Sequence, residues 1–256
     1  MEIFSVKHSG PSGDIIYSLP AVKEYARQYG PVTYYLQLDK KAFYYEGAQH
    51  PDGENALPKA RAEMLIPLLE SLPFIERATI WEGERVILDL DSIHAYKNGK
   101  PFGSISRWYF HVWSELTADL SERVIPIDHN PQDYILVNRT SRYRNEEISY
   151  HFLQHRPEPI YFIGLLEELA VFRLQVPKAN YLPTKNCLDI ANAIAGSKIF
   201  IGNQSMAFAI AEMMKVPRLL EAAYGQFNNV IPTGKDAYDA FTQHNFQSIV
   251  EMICKR

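Results

Sequence analysis

Cysteine is scarce in this sequence: Cys187 and Cys254 are the only two in 256 residues, and neither lies in a CxxC or paired metal-ligand spacing. That excludes a disulfide framework and a cysteine-based zinc site, and it predicts two reduced, buried thiols of a cytoplasmic protein. A basic surplus is missing too. The 26 Lys and Arg stand against 30 Asp and Glu, for a formal charge of −4, whereas a general nucleic-acid binder carries excess positive charge on one face. No nucleic-acid partner is expected, and any anion site must be a local cluster of Arg and Lys. No apolar run reaches the length needed to cross a bilayer, and the first residues lack the basic and apolar regions of a secretory signal. The expectation is a soluble, intracellular protein. Neither GxSxG nor GK[ST] occurs, so serine hydrolases and P-loop nucleoside triphosphatases lose their usual signal. No tandem short-period repeat or low-complexity tract is present.

What is present is an apolar fraction of 46%, enough for real cores in one large domain or two ordinary ones. Strand-like and helix-like segments alternate. A strand at 2–6, a helix at 15–29 and a strand at 32–38 form a βαβ unit. A polar stretch at 39–58 reads as a long loop, followed by a helix at 59–72, a strand at 86–90 and an aromatic helix at 104–116. The segment 121–132 holds Pro126 and Pro131 and predicts the boundary between a first domain, 1–125, and a second, 126–256. The second repeats the alternation: strand 134–137, helix near 148–155, strand 160–163, helix 167–173, helix 186–195, strand 198–201, helix 206–214 and strand 218–220. The segment 236–254 has helical character and is placed to pack back across the first domain. The predicted fold class is α/β, with two Rossmann-like domains whose parallel sheets face a cleft.

The stretch 193–221 carries the most chemistry. An apolar strand stops at Gly202, turns through Asn203, Gln204 and Ser205, and enters a helix. Unpaired N–H groups at a helix start, together with the helix dipole, favour phosphate, although the same turn also occurs in proteins that bind nothing there. Ser205 suits a plain N-cap as well as a phosphate contact. The loop from Asn138 to Asn145 holds Arg139, Thr140, Ser141, Arg142 and Arg144. Guanidinium groups bind phosphate bidentately and keep their charge, so Arg142 and Arg144 can neutralise a departing diphosphate; the bland alternative is a solvated loop paired with Glu146 and Glu147. Glu221, at a strand end, is either a ribose acceptor or a surface carboxylate. Asp14, after Gly13, is either a catalytic carboxylate at the sheet's carboxyl edge or the N-cap of a helix starting at Ile15. His8 either assists on the acceptor side or is structural. Glu167 and Glu168 suit the dipole of a helix start. Asp89, Asp91 and His94 are too few for a divalent-metal site, so no metal is expected.

Two motifs carry a family resemblance. The run from Ser12 to Ala21, Ser-Gly-Asp-Ile-Ile-Tyr-Ser-Leu-Pro-Ala, resembles the opening Gly-Asp, apolar pair and Leu-Pro-Ala of the heptosyltransferase-like glycosyltransferases. The run from Ile194 to Ser205, with Ala209-Ile210-Ala211 and Val216-Pro217 behind it, resembles that family's donor-side strand, turn and helix. The resemblance spans nearly the whole chain and implies the GT-B architecture, with a first domain for the acceptor and a second for the nucleotide-sugar donor. It implies a metal-independent, inverting glycosyltransferase that needs no cofactor and uses a nucleotide diphosphate-sugar and a glycan or other hydroxyl acceptor, such as a lipopolysaccharide. By the same resemblance Asp14 is the general base, with His8 and Gly13 on the acceptor side. Arg139, Thr140, Arg142, Arg144, Asn203, Gln204, Ser205 and Glu221 then face the donor. Gln204 stands where that family has Asp, and Ala209 where it has His. Those two departures support a different class of protein, a catalytically silent sugar-nucleotide binder; a sugar-nucleotide epimerase of the same architecture is a third reading.

Overall fold

A computed structural model of the chain describes residues 4–42, 53–95, 103–224 and 230–255. The chain divides into two compact units, 1–120 with 186–188, and 121–185 with 189–256.

The first unit is built on four strands, Ser5–His8 (β1), Val32–Leu36 (β2), Ile75–Ile80 (β3) and Leu88–Asp89 (β4), in the order β3-β2-β1-β4. Every pairing is parallel. Helix α1, Ser12–Tyr29, buries every residue from Ile15 to Val22 and then Tyr25 and Ala26, so its first half is covered all round and only its second half shows a single buried face. It ends at Gly30, whose φ of 97° lies in the left-handed region that a β-carbon disfavours. Helices α2 (Lys59–Glu70) and α3 (Ser106–Val112) complete the unit. The sequence places β1 at 2–6 and α1 from Ile15, but the strand runs on to His8 and the helix starts three residues earlier, at Ser12. His8 is therefore a strand residue, and Gly13 and Asp14 lie inside the first helical turn. The N-cap is Pro11 and makes no side-chain cap, so the N-cap alternative for Asp14 does not hold.

The second unit has six strands: Ile135–Asn138 (β5), Ile160–Phe162 (β6), Asn180–Tyr181 (β7), Ile199–Gly202 (β8), Arg218–Glu221 (β9) and Ala237–Ala240 (β10). Their order is β10-β9-β8-β5-β6-β7, again all parallel. This is the doubly wound order of a dinucleotide-binding sheet. The central strands β5 and β8 are buried at every position, because strands covered on both faces read as unbroken apolar runs. Burying Ile135, Leu136 and Val137 contributes roughly 1.5–3 kcal/mol per side chain.

Helix α4 spans Leu166–Arg173, and α5, Cys187–Ala195, begins with residues grouped with the first unit. Helix α6 is Met206–Met214 and α7 is Gln243–Cys254. The helix expected at 148–155 is a short 3-10 turn, His151–His155. The segment 236–254 is not one helix but β10 followed by α7, broken where Thr242 caps α7 by accepting the Asn245 N–H at 3.5 Å. Phe246, Val250 and Ile253 of α7 sit in the second unit's own core with Ile135 and Leu219. The apolar face of this helix therefore lies against its own sheet. Neither cysteine is in a disulfide and both are buried; burial pushes the Cys187 thiol up to about 12 and Cys254 up to about 11, so neither is a nucleophile near neutrality. Among the described residues no helix is long and apolar enough to cross a membrane.

Candidate functional site

In the second sheet the chain runs outward from β5 to β6 and β7, then returns to β8 on the other side of β5. That reversal separates the loops leaving β5 and β8 at the carboxyl edge, where open α/β sheets hold ligands. The loop after β5 is 139–145, and the turn after β8 is 203–205. Asn203 is fully buried and joins the two. Its Oδ1 accepts the Thr140 N–H at 2.9 Å and the Thr140 hydroxyl at 3.2 Å. Its Nδ2 donates to the Thr140 carbonyl at 3.1 Å and also to the Arg142 carbonyl. Ser205 is the N-cap of α6: its Oγ accepts the Phe208 N–H at 3.2 Å and donates to Asn138 Oδ1 at 2.8 Å. A β-carbon on Gly202 would lie 2.7 Å from the Asn138 carbonyl, so glycine is what lets β8 end this close to β5. Gln204 lies half-buried in the same turn.

Arg139 and Glu221 face inward. Arg139 Nε lies 2.8 Å from Glu221 Oε2, and a second guanidinium nitrogen lies 2.9 Å from Oε1. The same guanidinium donates to the carbonyls of Asn145 and Ile148, and it sits 4.9 Å from the centre of the Tyr150 ring. Glu221 further accepts the Asn145 N–H at 2.7 Å and the Tyr150 hydroxyl at 2.8 Å. Four donors saturate a carboxylate, which leaves no lone pair for a ribose hydroxyl. Burial works against the charge on Arg139, but the hydrogen bonds and charge of Glu221 outweigh it and raise the guanidinium pKa. Glu168, read from the sequence as a dipole residue, accepts the Ser141 N–H at 3.1 Å and the Leu165 N–H at 3.2 Å. It thus ties the loop to the start of α4.

Arg142 and Arg144 differ from Arg139. Both are half-buried. Arg144 Nε donates to the Thr140 carbonyl at 2.8 Å, and the Arg142 guanidinium lies 5.3 Å from the Tyr143 ring centre. Among the described residues neither forms an ion pair, with Glu146, Glu147 or any other carboxylate. The loop thus contains one arginine spent on the fold and two that keep charge available.

The first sheet reverses between β1 and β4. Here the neighbouring segments are the turn 9–14 and the short 3-10 turn Leu90–Ala95. His8 is fully buried; its Nε2 lies 2.7 Å from the hydroxyl of the equally buried Tyr109, and its Nδ1 lies 3.1 Å from Asp91 Oδ1. Asp91 accepts the Ser9 N–H at 2.9 Å and pairs with Lys40 at 2.9 Å and Lys7 at 3.5 Å. Lys7 also reaches Asp89 at 3.1 Å and Gln37 at 2.6 Å. Burial would raise the Asp91 carboxyl, but the hydrogen bond and charge of His8, the Ser9 amide and Lys40 outweigh it and hold its pKa low. Asp14 is half-buried, with its backbone carbonyl 3.0 Å from the Tyr109 hydroxyl. Among the described residues no three metal-capable side chains converge.

The structure therefore gathers Arg139, Thr140, Arg142, Arg144, Asn203, Ser205 and Glu221 in the second unit, and His8, Gly13 and Asp14 in the first. Asn138, Glu168, Asp91 and Tyr109 do the supporting work and were not read as such. The sequence signal for two of them is position, since Asn138 ends β5 and Asp91 lies just past β4.

These features define a class: two parallel α/β units, the second doubly wound, each with polar loops at its sheet's reversal. No protein-family model matches the chain, and no curated protein matches it in sequence. Solved structures do share the fold from end to end. E. coli ADP-heptose lps heptosyltransferase II aligns with a TM-score of 0.62 at 11% identity over 99% of both chains. The family 9 glycosyl transferase of Veillonella parvula aligns at 0.60 and 13%, over 100% of this chain and 99% of that one. E. coli heptosyltransferase WaaC with ADP-2-deoxy-2-fluoro heptose aligns at 0.54 and 11%, over 98% and 99%. The chain has the GT-B-like fold of these heptosyltransferases.

Proposed function

We propose that the protein is a metal-independent, inverting glycosyltransferase that needs no cofactor and moves a sugar from a nucleotide diphosphate-sugar to a hydroxyl acceptor on a glycan or similar molecule. The observation that carries this reading is the second sheet's reversal, flanked by Arg142 and Arg144 on one side and by the capped start of α6 on the other. Leaving-group charge in sugar transfer grows on the diphosphate. Guanidinium groups and helix-start amides aimed at that charge stabilise it without a cation. The fold shared with proteins described with ADP and an ADP-linked sugar supports an adenine nucleotide as the first donor to test. Arg139, Glu221 and Asn203 hold the donor loop in shape, while Thr140, Gln204 and Ser205 line the turn. Asp14, with Gly13 and His8 beside it, takes the proton from the attacking hydroxyl.

The test is a panel of ADP-, GDP- and UDP-linked sugars, followed by thermal stability and by release of the nucleoside diphosphate. The expected result is a raised melting temperature with one nucleotide class and turnover when an acceptor is added. If no nucleotide shifts the melting curve, the reading is wrong. Conversion of the donor without an acceptor would favour an epimerase instead.

One observation favours a second reading, a catalytically silent sugar-nucleotide binder. Ala209 is fully buried in α6, so the position that carries an imidazole in the resembling family presents only a methyl group. Asp14→Asn separates the two, because an enzyme loses turnover with donor affinity intact and a binder is indifferent.

A further inference from the structure

The turn from β1 into α1 carries Gly13 and Asp14, and one buried imidazole stands beneath it. His8 Nδ1 lies 3.0 Å from the Gly10 nitrogen and 3.1 Å from Asp91 Oδ1. Its Nε2 meets the Tyr109 hydroxyl at 2.7 Å, and that hydroxyl lies 3.0 Å from the Asp14 carbonyl. Proton inventory fixes the direction of this chain. A carbonyl only accepts, so the single phenolic proton is committed to Asp14, and toward His8 the phenol oxygen is an acceptor. Nε2 therefore carries a hydrogen and donates.

The order is His8 N–H to Tyr109 oxygen, then Tyr109 O–H to Asp14 carbonyl. On its other side the Asp14 N–H donates to the Pro11 carbonyl at 2.9 Å. Both His8 and Tyr109 have no exposed surface, so water does not substitute for either partner. Tyr109 comes from α3 and His8 from β1, with Asp91 of the 3-10 turn 3.1 Å from the ring. Three separate elements thus converge on the backbone of one helical turn.

We propose that His8 and Tyr109 are positioning residues that set where the Asp14 carboxylate stands. This rests on Asp14 being the general base. His8 then does not touch the acceptor; it acts through Tyr109. A base displaced by a fraction of an ångström loses much of its rate, since misplacement of about 1 Å costs about a hundredfold.

The test is a double-mutant cycle of Tyr109→Phe and Asp14→Asn, with ADP-heptose as the donor probe and ADP release as the readout. Tyr109→Phe is expected to lower kcat by about ten- to a hundredfold while the donor KM stays within about twofold. In the Asp14→Asn background the same change is expected to cost nothing further, because its effect passes through that carboxylate. His8→Gln, whose amide nitrogen replaces Nε2, is expected to keep kcat within about threefold, whereas His8→Leu falls as far as Tyr109→Phe. Equal losses from Tyr109→Phe in both backgrounds would make Tyr109 merely structural and overturn the proposal. So would an unchanged kcat in Tyr109→Phe beside an inactive Asp14→Asn. The His8 pair decides the matter if Tyr109→Phe does not fold, equal rates for Gln and Leu overturning it. A wild type that releases no ADP, or an Asp14→Asn variant as active as wild type, overturns the glycosyltransferase reading itself, which is a different failure.

Discussion

The two sheets reverse in the same way, yet the two turns at their reversals treat charge differently. In the first unit the ionised groups nearest the turn, Lys7, Lys40 and Asp91, are spent on one another beneath a buried histidine and tyrosine. In the second unit one buried pair, Arg139 with Glu221, holds the loop, and two further arginines have no carboxylate partner among the described residues. The first arrangement fixes a backbone. The second fixes a backbone and leaves cations over. A site that must receive a dianion needs that surplus, whereas one that must hold a single carboxylate in place does not.

The comparison breaks first, and hardest, at Glu221. Replacing it with alanine strands the buried Arg139 guanidinium, and removing one partner of a buried pair costs about 3–5 kcal/mol. Urea unfolding of Glu221→Ala should show that loss, and a change below about 1 kcal/mol would mean that the pair does not hold the loop. Next come Arg142→Ala and Arg144→Ala. Each should leave the free protein within about 0.5 kcal/mol of wild type. Each should also weaken ADP binding by about 1.5–3 kcal/mol, roughly ten- to a hundredfold, when titrated calorimetrically. Unchanged affinity in both would return the loop to the solvated alternative.

In the first unit Asp91→Asn tests the neutralised cluster through pH. The folded carboxyl is held below its ordinary value, so its stabilisation is complete above the unfolded pKa of about 3.9 and fades as pH falls below it. Wild type should exceed Asp91→Asn by about 1–3 kcal/mol near neutrality, and melting curves should draw together toward pH 3. A gap that stays constant down to that pH would deny the ionised cluster its role. The smallest effect is expected from Gly13→Ala. A β-carbon there meets nothing within 4 Å, so stability should hold or rise by up to about 1 kcal/mol. Turnover should fall while ADP affinity holds, and full activity would remove Gly13 from the acceptor side.

Interior strands were legible in the sequence and edge strands mostly were not. The runs Ile135–Asn138 and Ile199–Gly202 are apolar because both faces are covered. The missed strands Ile75–Ile80, Asn180–Tyr181 and Ala237–Ala240 all lie at sheet edges, where water admits Glu76, Arg77, Asn180 and Asp239 and the apolar pattern fades. In the site, local signals such as the Ser205 cap and the glycine turn could be read. The Arg139–Glu221 pair joins residues 82 positions apart, and the His8–Tyr109 contact joins residues 101 apart. Such pairing is set by topology, so no local pattern announces that these side chains face one another rather than a ligand.

The amide of Asn203 has a consequence for how this loop can be remade. Thr140 is moored to Asn203 and Asn145 to Glu221, so the span between them is anchored at one end to the turn after β8 and at the other to β9. Lengthening it by even one residue would release one mooring. A graft meant to alter nucleotide preference should therefore exchange side chains at Arg142 and Arg144 in place, and leave the residue count alone.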